Sequence, residues 1–366
     1  MRILIDISHP AHVHFFRNAI PIWQRHGHRV QMVSRRKDIA LQLLSAYRLP
    51  HRCLSTAGKG KLSLLRELFL HDFRLFREAT RTKPDIMLQI GGLFVSHVGF
   101  LKGIPSITFT DTEMASISNA LTFPFTSAVV TPDCYDAPVP ASRHFVYPGY
   151  HELAYLHPKR FTPDPAVVRQ LGIAPEDPFF IVRFVSWGAA HDVGESGFSR
   201  PAKVEMVEEL ARRGRVFITS EGRLPERLLP YRFPVAPELI HHVMAFSTLV
   251  IGESATMASE AAVLGVPAIF VSTSPRGYTT EQENRYGMTF TFNHHQQELA
   301  LNKMRELLAI DRVREVWQAK RERLLSDKID VTGWLVRLVE EYPLSLENLC
   351  LRPKSGTLRE TAPCAG

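Results

Sequence analysis

The sequence predicts an α/β protein of two doubly wound, Rossmann-like parallel-sheet domains facing across a cleft. Three observations carry this. Apolar runs of strand length alternate with helical periods from Arg2 to about residue 150. The alternation pauses over Pro148–Pro165 and resumes at Phe179. The 366 residues exceed what one hydrophobic core ordinarily serves. The expected division is residues 1–155, residues 156–330, a closing helix at 331–345 and a disordered tail at 346–366, with the linker in Pro148–Pro165.

Arg2–Ile5 is the expected first strand, followed by a helix to about His26 that Gly27 closes, then a strand over Arg29–Ser34. This βαβ opening lacks G-x-G-x-x-G, which excludes the ordinary dinucleotide fingerprint. Strands over His51–Leu54, Ile86–Ile90, Ser106–Phe109 and Ala128–Thr131 continue the first sheet. Before Ile86 lies a helix ending near Thr82 that mixes Leu and Phe with Arg66, Arg74, Arg77 and Arg81. It reads either as a basic amphipathic helix for a membrane surface or as a sheet-covering helix with a solvated edge. The second domain is expected to use strands Phe179–Arg183, Val216–Thr219, Thr248–Ile251 and Ala268–Ser272. Helices over Lys203–Arg213, Glu238–Phe246 and Ala255–Leu264 lie between them, and charged helices from Glu298 to about Leu325 close the domain.

Composition limits the function classes. Hydrophobic residues make up 45% and charged residues 22%, the balance of a soluble globular chain, and no apolar run reaches the length of a membrane span. The chain enters a strand directly, so a cytoplasmic protein is expected, with any membrane contact peripheral to the inner face. Cys53, Cys134, Cys350 and Cys364 are scattered, without disulfide-framework or zinc-ligand spacing. The net charge of +7 is uneven: residues 1–150 hold 18 Lys/Arg against 10 Asp/Glu, and the remainder 26 against 27. An anionic partner for the first domain follows. No nucleic-acid recognition module accompanies that charge, so nucleic acid is not the expected partner.

The run Ile251–Pro267, IGESATMASEAAVLGVP, is a strand, a turn at Gly252, a helix and Gly265. A helix start at Ser254, Ala255 and Thr256 presents unpaired N–H groups and partial positive charge, which suit a diphosphate. Glu260 lies further along, where a carboxylate accepts two sugar hydroxyls. Ser254 serves equally well as a plain N-cap. Arg183 at its strand end is a candidate cation for the leaving group, or a salt-bridge partner holding the loop after it. His12 is the leading general base, with His9 and His14 as competitors. Asp111 and Glu113 are alternative bases, or caps of the helix that follows. His191 and Asp192 read as a phosphate-side or lid cluster with Glu195 and Ser196. The pairs His241–His242 and His294–His295 lack carboxylates at ligand spacing and read as surface.

On these residues the chain resembles the GT-B superfamily. It is similar to the N-acetylglucosaminyltransferase that makes lipid II, to the non-hydrolysing UDP-N-acetylglucosamine 2-epimerases, and most to a prokaryotic domain family of unknown function. The resemblance spans roughly residues 1–345 and rests on Gly91-Gly92-Leu93-Phe94-Val95-Ser96, Gly103-Ile104-Pro105, Ser186-Trp187-Gly188-Ala189-Ala190 and Ser254-Ala255-Thr256 with Glu260. It implies donor contacts at Ser186 and Gln282, nucleobase packing at Leu239 and Ile240, and a ribose partner in Glu260. The implied activity is glycosyl transfer from a nucleotide sugar, of UDP type, to a glycan or lipid-linked acceptor in envelope or polysaccharide assembly. Epimerisation of a UDP-sugar and non-catalytic binding are the alternatives. No cofactor is expected: the chain has no Asp-x-Asp metal clamp. One departure stands out. The first loop, Ser8-His9-Pro10-Ala11-His12-Val13-His14, has no glycine where the transferase loop is glycine-rich, so close approach of its backbone to a phosphate is harder.

Overall fold

The computed structural model describes residues 1–37, 39–56, 61–185 and 197–351, with only the main chain for 61–65. Seven strands form the first sheet: β1 (Arg2–Ile7), β2 (Arg29–Arg36), β3 (His51–Thr56), β4 (Ile86–Ile90), β5 (Ser106–Phe109), β6 (Ala128–Pro132) and β7 (His144–Tyr147). Five form the second: β8 (Phe179–Phe184), β9 (Arg215–Ser220), β10 (Leu249–Gly252), β11 (Ala268–Val271) and β12 (Thr289–Phe292). The orders are β3-β2-β1-β4-β5-β6-β7 and β12-β11-β10-β8-β9, every neighbour parallel. Parallel strands need helical crossovers on both faces, which explains the near-continuous apolar strands such as buried Ile86–Leu88 and Phe179–Val182. Strand order reverses beside β1 and β4 in one sheet and beside β8 and β10 in the other. Ligands of open α/β sheets bind outside the strand ends at such points. At the second of them β10 runs so close to β8 that a Cβ on Gly252 would lie 2.1 Å from the Arg183 carbonyl oxygen.

Two expectations are corrected. Pro148–Pro165 is no loose linker. Tyr150, His151, Glu152, Leu153, Ala154, Tyr155 and Leu156 are all buried, because this segment threads between the domains and forms a short helix, Leu153–Leu156. Order also extends beyond residue 345. Helix Ser345–Asn348 buries Leu346, and Leu351 pairs antiparallel with Val146; residues 352–366 lie outside the described residues.

The closing helix, Val331–Glu340, returns to the first domain and packs on helix Ala19–Arg25. The Trp23 indole donates to the Val336 carbonyl at 3.4 Å, and Glu340 meets His26 at 2.7 Å and His28 at 3.1 Å. The chain therefore crosses between domains twice, which fixes the cleft.

Candidate functional site in the interdomain cleft

Helix Ala255–Leu264 starts at the second switch point. Its Ser254 side chain accepts from the Met257 N–H at 3.3 Å, so the hydroxyl is spent on the cap. The N–H groups of Ala255 and Thr256 take no protein partner among the described residues and sit on a half-buried surface. Such a helix end suits an anion. The preceding Glu253 escaped sequence reading although it lies inside the motif. Its carboxylate accepts from Val185 N at 2.8 Å, Phe198 N at 2.9 Å and the buried Lys203 ammonium at 2.8 Å. It thereby fixes both flanks of segment 186–196, which holds Ser186, His191 and Asp192 and lies outside the described residues.

Glu260 is buried at the back of the same helix. Its Oε1 accepts from the Tyr155 hydroxyl and from His241 Nε2, both at 2.8 Å. Its Oε2 has no protein partner among the described residues. Burial drives the carboxyl up to about 7, against the Tyr155 hydrogen bond and the charges of Arg17 and Arg183. Burial likewise holds the His241 imidazole well below its usual range, so the ring is neutral and gives its Nε2–H to Glu260. His241 is thus corrected from surface residue to core partner. The signal was out of reach of spacing rules, since the two residues lie 19 apart on different helices. His14 stacks on Tyr155 at 5.1 Å and meets His241 edge-on at 4.9 Å, joining the first domain to this network. Leu239 and Ile240 are half-buried just before His241, beside this network.

Across the cleft, Asp111 follows β5 and pairs with His151 at 2.9 Å. Burial alone would raise the Asp111 carboxyl, but His151 outweighs it by charge and hydrogen bond and holds it below the carboxylate range. Burial alone would lower His151; Asp111 reverses that and raises it. Both act to keep an ion pair at neutrality. His12 lies near both. Burial, then the neighbouring His9 and His151 rings, push it well below its usual range, so it is a neutral imidazole with one lone pair. The Ser8 N–H and the Ser8 hydroxyl both lie 3.4 Å from its Nδ1. The Ser8 N–H donates to Nδ1, which puts the ring proton on Nε2; only in the other tautomer, with Nδ1–H donated to the hydroxyl, is Nε2 free to act as a base. Buried Glu152 completes the cluster, pushed up to about 8 by burial and then by Asp111, with Oε2 unpaired. From the second domain, Tyr278 bonds to Thr256 and feels the charges of Asp111 and Glu152.

The remaining sequence candidates fall elsewhere. Glu113 Oε1 accepts from the Gly277 N–H at 3.1 Å. It caps helix Gly277–Asn284 of the opposite domain and so serves as a domain tie. A Cβ at Gly277 would lie 2.5 Å from that carboxylate and 2.3 Å from the Cys134 carbonyl oxygen, so the tie requires glycine. Arg183 pairs with Glu221 after β9 and not with the loop that follows Arg183; its Nε is unpaired among the described residues, and its charge acts on Glu260. Gln282 is fully buried: its amide donates to Ser259 at 2.8 Å behind the helix, and its Oε1 has no protein partner among the described residues. Asp133, Cys134 and Glu281 converge as metal ligands would. The Lys328 ammonium already sits 2.8 Å from both carboxylates and supplies the positive charge an ion would bring.

Two parallel-sheet domains with a switch point in each show the GT-B fold. More particularly, the chain belongs to the family described as Protein of unknown function (DUF354), which it matches over residues 1–283. An uncharacterised protein of Methanocaldococcus jannaschii is 24% identical over 282 residues, covering 73% of this chain and 80% of that one. Among solved structures, the UDP-GlcNAc 2-epimerase of Neisseria meningitidis bound to UDP-GlcNAc superposes with a TM-score of 0.67 at 13% identity, over 94% of this chain and 100% of that one. MurG of Acinetobacter baumannii superposes with a TM-score of 0.56 at 16% identity, over 93% and 99%. At these identities the likeness is one of fold.

Proposed function

We propose that the protein is a metal-independent glycosyltransferase with a nucleotide-sugar donor of UDP type and a glycan or lipid-linked acceptor. One observation carries the reading. The open end of helix Ala255–Leu264 and the unpartnered Glu260 Oε2 lie on one side of a cleft whose other side presents neutral His12 beside charged Asp111. The diphosphate would rest on the Ala255 and Thr256 N–H groups, and the ribose hydroxyls would donate to Glu260. Leu239 and Ile240, adjoining His241, would pack the base. In the tautomer with its proton on Nδ1, His12 would take the acceptor hydroxyl proton at Nε2 as that oxygen bonds to the anomeric carbon. The bond from that carbon to the diphosphate breaks, and its electron pair leaves with the nucleotide. Asp111 stabilises the imidazolium formed on His12, and the helix end stabilises the diphosphate charge without a metal. The basic first domain would hold the enzyme peripherally at a membrane carrying the acceptor.

A second reading has its own support: Glu152 places a proton-holding carboxyl beside charged Asp111, the acid–base pairing that epimerisation at a sugar carbon needs. Incubation of UDP-sugars in deuterated water, followed by NMR, separates the two. The transferase reading expects a new glycoside only when acceptor is added, and loss of that product in His12→Ala. Deuterium entering the sugar ring without acceptor would replace it with the epimerase reading.

A further inference from the structure

Helices Lys61–Thr82, Leu93–Lys102 and Ser116–Thr122 lie side by side over one face of the first sheet. Their inner sides fill a separate apolar core with Leu75, Ala79, Phe94 and Val98. Their outer sides are apolar as well. Phe69, Phe73, Phe100, Leu101 and Ile117 are 66, 58, 61, 71 and 79% exposed, and Phe76 joins them. Phe69, Phe73 and Phe76 follow helical spacing, so they form one stripe on the first helix. Soluble chains seldom leave so much clustered apolar surface without a use. Helix Val331–Glu340, by contrast, packs on helix Ala19–Arg25 and buries its Leu335, Leu338 and Val339.

The fully exposed charges beside the stripe are basic. Arg66, Arg74 and Arg77 are exposed on the first helix; Arg77 lies 5.9 Å over Phe73, and Lys102 lies 4.1 Å over Phe76. Glu67 and Glu78 lie on the far side of that helix and are paired, Glu67 with Arg35 and Glu78 with Arg52 at 2.6 Å and with Arg81; Asp72 flanks the stripe and is paired with His97 at 2.9 Å. Aromatic side chains ringed by long cationic ones match the boundary between acyl chains and anionic headgroups, where the stems lie along apolar surface and the charges reach phosphate. A second copy would set arginine against arginine, which disfavours self-association here. No helix among the described residues is long and apolar enough to cross a membrane, so the contact would be interfacial.

We propose that this outer face is a docking surface for an anionic lipid bilayer. The inference stands apart from the donor reading, because none of these side chains lines the cleft cluster. It does connect to the cleft floor: His71, on the inner side of the first helix, bonds Asp6 at the end of β1 at 2.9 Å, and Gln89 bridges Asp6 and Ser8 beside His12.

Flotation of the full-length protein with vesicles tests it, using phosphatidylcholine alone and phosphatidylcholine mixed with phosphatidylglycerol. The proposal expects binding to the mixed vesicles only, weakened by salt. It expects a loss of roughly tenfold or more in Arg66→Glu/Arg77→Glu, and a comparable loss in Phe69→Ser/Phe73→Ser. Both double variants change exposed side chains, and unchanged thermal unfolding confirms their folding. Equal partitioning of wild type and charge variant, or no binding to mixed vesicles, overturns the proposal. Reversible dimerisation in sedimentation velocity that Phe69→Ser/Phe73→Ser abolishes would instead assign the face to a second copy.

Discussion

Asp111 and Glu260 occupy opposite sides of one cleft, and each is held by a histidine at nearly the same distance, 2.9 and 2.8 Å. They are driven in opposite directions. Asp111 keeps 17% of its side chain exposed and is held below the carboxylate range; Glu260 keeps 6% and is pushed up to about 7. The histidines follow suit: His151 is raised, His241 lowered. The lesson is that an Asp/Glu–His contact has no fixed charge. With some solvent the pair ionises; deeper in, desolvation wins and both partners stay near neutrality. One cleft thus holds a charged carboxylate on one side and a carboxyl poised near neutrality on the other.

Asp111→Asn should break the charged side. We expect turnover to fall by about 10²–10³ while UDP affinity, read by calorimetry, stays unchanged. An equal loss of affinity would place Asp111 in donor binding. Glu260→Gln should break the poised side: UDP affinity falls by roughly tenfold, from about 1–3 kcal/mol of charge-assisted hydrogen bonding, with turnover retained at saturating donor. A smaller effect comes from Glu152. Its folded carboxyl titrates at about 8, above the ordinary 4.5. Between those values the native state holds a proton that the unfolded chain has lost, so this group's contribution to stability falls as pH rises through the window. Glu152→Gln should therefore raise the melting temperature relative to wild type more at about pH 8.5 than at about pH 5. A difference independent of pH would show that burial does not set this titration.

Much of the architecture was legible in the sequence because parallel strands announce themselves as apolar runs. Ile86–Ile90 and Ser106–Phe109 lie where the runs place them, and helix Ala255–Leu264 has the expected bounds. The two missed strands, β7 and β12, are four-residue edges, too short to carry a pattern. The helix expected up to His26 breaks at Asn18, whose side chain bonds the Ala154 carbonyl at 3.0 Å, a tertiary contact invisible locally. The site was half legible. His12, Asp111 and the start of helix Ala255–Leu264 stood out by chemistry at strand ends. Their partners His151, Glu152 and Tyr155 hid in Tyr147-Pro148-Gly149-Tyr150-His151-Glu152-Leu153-Ala154-Tyr155-Leu156, where Pro and Gly suggested a linker. The aromatic and apolar density of that stretch was the available sign of burial. The depth of Gln282 was also out of reach: nothing local announces that its amide bonds buried Ser259.

The central claim is that Glu260 is the poised partner of a nucleotide diphosphate. Calorimetric titration of UDP into wild type and Glu260→Gln across neutrality tests it most directly. Binding to the wild type should weaken as pH falls through about 7 more steeply than binding to the variant, by up to about tenfold per unit, because protonation removes the carboxylate acceptor while the terminal phosphate of UDP titrates alike in both. Absence of binding by any nucleoside diphosphate, or the same pH profile in both proteins, would contradict it.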